Sequence, residues 1–552
     1  MEAENKSIAT DNATELKSGL DLQNTASIQE AEIKDSRNGQ FHRSFSPRQI
    51  HIISLGSNIG SGVFLGTGKA LASGGPGNMV IAYALVCTCV WAVLQTLGEM
   101  TIAFPTPGNY IDYAERWVDP ALAFGAGFAE WLAWVAIIAL EAIFFDLFVQ
   151  FWARGALPVP ASITIFLVIM LVIFLLPNKI FAWFEYVTSV VKIFLFLLII
   201  ILSLCLVAGA GPGGYVHDGA YWRDLPAFKN GFTGFANCAL LCLAGVGDQV
   251  FIGIMGGEAE SPRFSMAHAT KLVPYRVGIV YMLSVVFITL LVPSNDERLL
   301  GGSDVTASPF VISVVDANIP VVPDIINAAM ITGILAIGAE SIYLSSRILR
   351  TMAHKKLIPE YFATVDDKGR PRWALAITCG VGVFLSYLSL SAGGYELFIW
   401  LVNISSTAFF VNWLIIGYTS IRFHAALRAQ SSPLLHPTTT PYAWTSYRWP
   451  LMPAWLLLVS LLLTACCIQA AVQPLNGAKL TPYYFFQYII GLLLIVGGTG
   501  IYKVVMRTEW RDPAKADLVT GRRVLTVDEV RGLDEYYRLP RWRRFLGYVQ
   551  LW

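Results

Sequence analysis

The stretch LGSNIGSGVFLGTGKAL, Leu55 to Leu71, decides how this chain is read. It lies in an apolar run long enough to cross a bilayer, yet Gly56, Gly60, Gly62, Gly66 and Gly68 interrupt it. Glycine in a helix interior costs about 1 kcal/mol relative to alanine. Lipid supplies no water to satisfy freed backbone groups, so a helix unwinds at membrane depth only where protein or a hydrated cavity surrounds the break. Residues 57–62 are therefore a candidate binding site. The alternative is close helix packing through small residues.

The composition sets the class around this stretch. The 552-residue chain is 55% hydrophobic and 14% charged, with a mean hydropathy of +0.57, beyond the apolar share of soluble proteins. It reads as an all-α polytopic membrane protein. A net charge of +1 points to no nucleic-acid partner. The eight cysteines all fall in apolar runs, where a free thiol behaves as a small hydrophobe, so neither a disulfide nor a metal site is expected. No cofactor motif stands out. Gly66-Thr67-Gly68-Lys69 superficially resembles a phosphate loop, but no glycine stands five before Gly68, and Ala70 replaces the hydroxyl residue that would hold magnesium.

Residues 1–46 are polar and poor in aromatics, the composition of a disordered tail. Twelve runs of spanning length follow, at about 50–72, 79–104, 121–152, 160–177, 183–209, 233–256, 274–293, 325–350, 374–391, 395–421, 452–473 and 484–506. Residues 507–552 form a second polar tail. Lys and Arg gather in alternate loops, among them Arg263, Lys271, Lys355, Lys356, Arg370 and Arg372. The positive-inside bias then places both termini in the cytosol.

The sixth run answers the first. In LAGVGDQVFIGIMGGE, Gly245, Gly247, Gly253, Gly256 and Gly257 interrupt it, and Asp248 sits in its middle. Two glycine-broken spans five apart are the sign of an inverted repeat whose half-helix ends meet near the bilayer midplane. The expected domain is a five-plus-five inverted repeat with broken helices 1 and 6, the first repeat about 50–209 and the second about 233–421, with two further helices at 452–506.

Four segments carry a family resemblance: GSNIGSGVFLGTGKALASGGPGNMVIAY, QTLGEMTIAFPTPGNYIDYAERWVDPALAFGAG, GGEAESPR and YLSSRILRTMA. They resemble the yeast and fungal amino acid permeases of the amino acid-polyamine-organocation superfamily. The likeness runs from about Arg48 to Trp552 and includes the tail's ADLVTGRR. It implies a twelve-helix secondary transporter that imports amino acids, usually with protons.

A break offers a zwitterion both ends it needs. The N-terminus of the outer half-helix presents N–H groups that favour a carboxylate, and the inner half ends in carbonyls that accept from an ammonium. The resemblance implies that Ser61 and Gly62 receive the carboxylate, while Ile59 and the sixth break near Gly247 receive the amino group. Ser57, Asn58 and Gly60 complete the first break, and Asp248 and Gln249 the second. Ser57, Asn58 and Ser61 could instead hydrogen-bond between helices. In the sixth run the family commonly has Gly-Thr-Glu where this chain has Asp248, Gln249 and Val250. Asp248 would stand in for that glutamate.

Charges at the bilayer centre cost about 2.5–3.5 kcal/mol on insertion scales and mark pathways. The third span carries Glu130, Glu141 and Asp146. Glu141 matches a glutamate of the permease family, which implies a substrate or proton role. Glu99 is a gate or packing residue, and Glu340 a further carboxylate for the central cavity. Lys192, deep in the fifth span, stands where the resemblance places a lysine at the position of the ion in sodium-coupled relatives, with Glu185 seven residues earlier on its face. It is the proton-coupling candidate; a snorkelling anchor is the alternative. Arg541, Arg543 and Arg544 beside Trp542, Phe545 and Trp552 suggest a segment lying on anionic membrane lipid.

The resulting expectation is a multi-pass plasma-membrane importer with an amino acid and a proton as its partners. Competing readings are an amine or polyamine permease and a non-transporting amino acid receptor. An enzyme is disfavoured, because no nucleophile, metal cluster or cofactor motif appears.

Overall fold

A chain that must satisfy its backbone polar groups without water folds as helices. The computed structural model describes residues 45–56, 59, 61–106, 108–176, 178–211, 214–247, 250–299, 308–366, 369–391, 394–435, 442–475 and 479–548. Among these the architecture is helical. In order come α1 (Pro47–Gly56), α2 (Ser61–Ala103), α3 (Asn109–Trp117), α4 (Pro120–Ala153), α5 (Val159–Leu175), α6 (Asn178–Val207), α7 (Ala220–Asp224), α8 (Gly231–Val246), α9 (Val250–Gly257) and α10 (Pro262–Tyr275). A π-helical stretch over Arg276–Leu283 leads into α11 (Ser284–Leu291). Then follow α12 (Pro309–Asp316), α13 (Val322–His354), α14 (Arg372–Leu388), α15 (Gly394–Ala429), α16 (Leu451–Val472), α17 (Pro482–Met506), α18 (Val527–Arg538) and α19 (Arg541–Tyr548).

Among the described residues nine helices are long and apolar enough to cross a membrane, and Val159–Leu175 and Arg372–Leu388 are shorter apolar ones. Each of the twelve expected runs lies largely on helix. Within α2, the outer part of the first run and the second run are separate helical stretches that meet at a kink, where the backbone of Gly75 is non-helical and Pro76 follows. Gly75 has φ 77°, a conformation that glycine adopts without a Cβ penalty. Polar groups around the bend are met by the chain before α8. The Gly77 N–H donates to the Ala227 carbonyl at 2.8 Å, and Lys229 N–H donates to Gly74 at 2.9 Å. Asn78 Nδ2 reaches the carbonyls of Lys229 and Gly231, each at 3.1 Å. This clasp ties the corner of α2 to the start of α8.

From the clasp, α2 and α8 run together as the most extensively packed helix pair. Small residues set their approach. A Cβ on Gly62 would lie 2.8 Å from the Gly245 Cα, and one on Gly245 would lie 2.9 Å from the Gly62 carbonyl carbon. Gly56, at the end of α1, presses on α6, where an added Cβ would come within 2.5 Å of the Ser189 side chain.

The second quoted motif builds a bracket. Tyr113 donates its hydroxyl to the Phe104 carbonyl at 2.6 Å, and Trp117 stacks on Phe423 of α15 with ring centroids 4.3 Å apart. Asp112 accepts from Thr106 at 2.7 Å and pairs with Lys355, just past α13, at 2.6 Å. Burial pushes the Asp112 pKa up, but Lys355 and Arg116 outweigh it and hold the carboxyl below its ordinary range. Asp119 caps α4, accepting from Ala121 N–H at 2.7 Å.

The C-terminal tail packs back on this bracket. Arg511 N–H donates to the Val118 carbonyl at 2.8 Å and Arg523 N–H to Ala103 at 2.9 Å. Trp117 Nε1 donates to Asp517 at 3.0 Å. Further on, the Tyr536 hydroxyl of α18 meets His268 of α10 at 2.8 Å.

Candidate functional site at the two helix breaks

The first expected interruption appears in the path of the chain, with Ile59 outside helix; the second falls on Asp248 and Gln249, outside the described residues. Helix α1 ends at Gly56 and α2 starts at Ser61; α8 ends at Val246 and α9 starts at Val250. Each helix end leaves backbone groups without intrahelical partners. The first break therefore sets carbonyls of α1 against N–H groups of α2, and α8 brings a second carbonyl end. Gly247 caps α8 by donating its N–H to Leu243 at 2.8 Å, so what it offers a ligand is its carbonyl rather than its N–H. The contact between Gly62 and Gly245 holds the two interrupted helices together.

Ile59 is 1% exposed, within the first break. Its carbonyl approaches α13 and α6 together. A Cβ on Gly333 would stand 3.5 Å from the Ile59 oxygen and 3.7 Å from Lys192 Cδ. Lys192 is 1% exposed, and its Nζ has no hydrogen-bond partner among the described residues. Glu185 is fully buried, with both carboxylate oxygens likewise unmatched. An ammonium and a carboxylate share one face of α6 without forming a direct ion pair. Such groups are costly to bury unless a ligand, water or proton completes them.

The other acidic residues take different places. Glu130 is a structural tie: Trp134 Nε1 donates to it at 2.9 Å, and Asn412 of α15 donates to its second oxygen. Asp146 accepts from Gln150 at 2.9 Å. Glu141 is buried on α4, which packs along α13, and Glu340 is buried on α13 itself. Glu99 pairs with His424 at 2.9 Å. Ser57, Asn58, Gly60, Asp248 and Gln249 lie outside the described residues, and Ser61 contributes the first residue of α2.

Residues not singled out from sequence also emerge. Gly333 is the close-approach point of three segments. Asn327, fully buried on α13, has neither amide atom matched among the described residues. Beyond α9, Glu258 and Arg347 form a buried ion pair at 2.8 Å, and Arg347 lies over the Tyr343 ring, 3.4 Å from its centroid. Phe45 bridges to Ala259 beside them.

Residues 49–513 match the family described as amino acid permease. Relatives include amino-acid permease GAP3 of Candida albicans, 31% identical over 96% of this chain and 88% of its own length. The general amino-acid permease GAP1 of Saccharomyces cerevisiae is 31% identical over 91% and 84%. A basic amino-acid permease of Saccharomyces cerevisiae is 34% identical over 72% and 71%. Among solved structures, a Na+-coupled sialic acid symporter superposes with a TM-score of 0.49 at 11% identity, over 88% of this chain and 96% of that one. With the family match covering most of its length, this multi-pass membrane chain belongs to the amino acid permease family.

Proposed function

We propose that this protein imports amino acids across the plasma membrane together with protons, through twelve spans with both termini in the cytosol. The observation that carries the reading is Lys192, buried beside the Ile59 carbonyl at the first break with Glu185 on the same helix face. The substrate carboxylate docks on N–H groups at the start of α2, and its ammonium on the carbonyl ends of α1 and α8. Glu141, Asp248 and Gln249 border the substrate. Lys192 changes protonation as the cavity alternates, which a buried lysine can do and an arginine cannot. One proton moving down the membrane potential supplies about 2.3 kcal/mol per 100 mV, roughly forty- to fifty-fold accumulation. The test is uptake of labelled amino acids by purified protein in vesicles. An imposed inward proton gradient should drive accumulation, and a proton-insensitive exchange of internal for external substrate would overturn the coupling.

A further inference from the structure

Far from the helix breaks in composition, a cavity of about 140 Å³ opens between the end of α2, the start of α10, the end of α15 and the C-terminal tail. None of its lining residues belongs to either break. Arg263, Arg522 and Arg523 project from its wall. Arg263 is 8% exposed. Its Nε donates to the Tyr442 carbonyl at 2.7 Å, while its Nη1 is buried with no hydrogen-bond partner. The Nε groups of Arg522 and Arg523 are also buried and unmatched.

The counter-charges cover only one of these cations. Arg523 pairs with Glu529, and Glu99, also on the wall, is held by His424 at 2.9 Å. Among the described residues no carboxylate forms an ion pair with Arg263 or Arg522. Burial alone acts on the Arg522 guanidinium, lowering its pKa. Arg263 and Arg522 face the cavity without a carboxylate partner among the described residues, each with a buried N–H unmatched, and an anion between them would complete those groups.

The backbone that presents the tail arginines is built for it. Asp517 Oδ1 accepts from the N–H groups of Val519 and Thr520, each at 2.9 Å. Arg522 N–H donates to Val519 at 3.1 Å, and Arg523 N–H pins the strand to Ala103 at 2.9 Å. Gly521, between them, has φ 69°, where a side chain would be strained. This is the ADLVTGRR segment, which the transport reading leaves without a task.

We infer that this cavity binds a phosphate-bearing anion, either the headgroup of an anionic lipid or a soluble polyphosphate. Guanidinium forks match phosphate oxygens in pairs. The volume is well below the roughly 300–1,000 Å³ that encloses a whole small molecule, so one phosphoryl group enters and the remainder of the ligand stays outside.

Purified full-length protein separates the two sources. In one arm it is titrated in detergent with inositol hexakisphosphate and followed by thermal unfolding. In the other it is placed in phosphatidylcholine nanodiscs with or without phosphatidylinositol 4,5-bisphosphate. Stabilisation in the first arm assigns a soluble ligand; stabilisation only in the second assigns the lipid. In either case Arg522→Gln weakens the effect about tenfold or more. Arg263→Lys, which keeps the charge and loses the fork, weakens it less. Lys356→Gln, an exposed position just past α13 and outside the cavity lining, leaves it unchanged. No stabilisation in either arm, full binding by folded Arg522→Gln, or an equal loss in Lys356→Gln overturns the site.

Discussion

The Ile59 carbonyl and the stem of Lys192 both lie close to Gly333, 3.5 Å and 3.7 Å from where its Cβ would be. Those are ordinary contact distances, so a methyl fits there. Gly333→Ala should retain uptake and surface expression, whereas Gly333→Leu should displace Lys192 and abolish uptake while still reaching the surface. Wild-type uptake by the leucine variant would detach this junction from transport.

Lys192→Arg keeps charge and reach but removes the option of losing a proton, since arginine stays charged above pH 12. It should lose pH-dependent accumulation without losing surface expression. The measurement is uptake at acidic and neutral outside pH. Retained, pH-dependent accumulation would leave Lys192 as an anchor.

The glycines between α2 and α8 sort by what they face. A Cβ on Gly245 meets the backbone of Gly62, while one on Gly66 comes no closer than 3.6 Å, to the Leu241 carbonyl. Gly245→Ala should destabilise the protein by about 1–3 kcal/mol, and Gly66→Ala should be nearly neutral. Unfolding temperatures in detergent read the difference. Loss of uptake on enlarging Gly62 is therefore a packing effect as much as a ligand effect, and only substrate binding measured on a folded variant separates the two.

Asp112 supplies a pH signature. Its pKa is lowered in the fold, so its contribution to stability is present above the unfolded value of about 3.9 and fades as pH falls through the folded value. Asp112→Asn should destabilise by on the order of 1–3 kcal/mol at pH 7. The gap to wild type should narrow only below about pH 4. A gap that closes between pH 5 and 7 would assign the effect to another group.

The first break is legible in sequence because glycine in an apolar run is costly wherever the run packs. The residues flanking them, Ser57, Asn58, Asp248 and Gln249, lie outside the described part of the chain, so their expected roles stand as proposals. Partners across the bundle were not legible. Glu130 reads as a pathway charge until Asn412, 282 residues away, is seen donating to it. Gly333 and Asn327 are unremarkable in an apolar run, because which face of α13 meets Lys192 is settled by the packing of three helices. The corner at Gly75 and Pro76 reads as a loop. The structure has a tight kink there between two helical stretches, at the non-helical Gly75, and the acceptors and donors that support it come from residues 227–231.

That corner also has a mechanical meaning. The clasp from Gly77 and Asn78 to Ala227, Lys229 and Gly231 pins the corner of α2, where its Ser61–Gly74 arm ends, to the start of α8. Two rods fastened at one end can part only at the other, and each of these rods reaches its break at the unfastened end. The pair has the geometry of tongs: the pivot is the proline corner, and the jaws are the Ser61 end of α2 and the Val246 end of α8 that the Gly62 and Gly245 contact brings together.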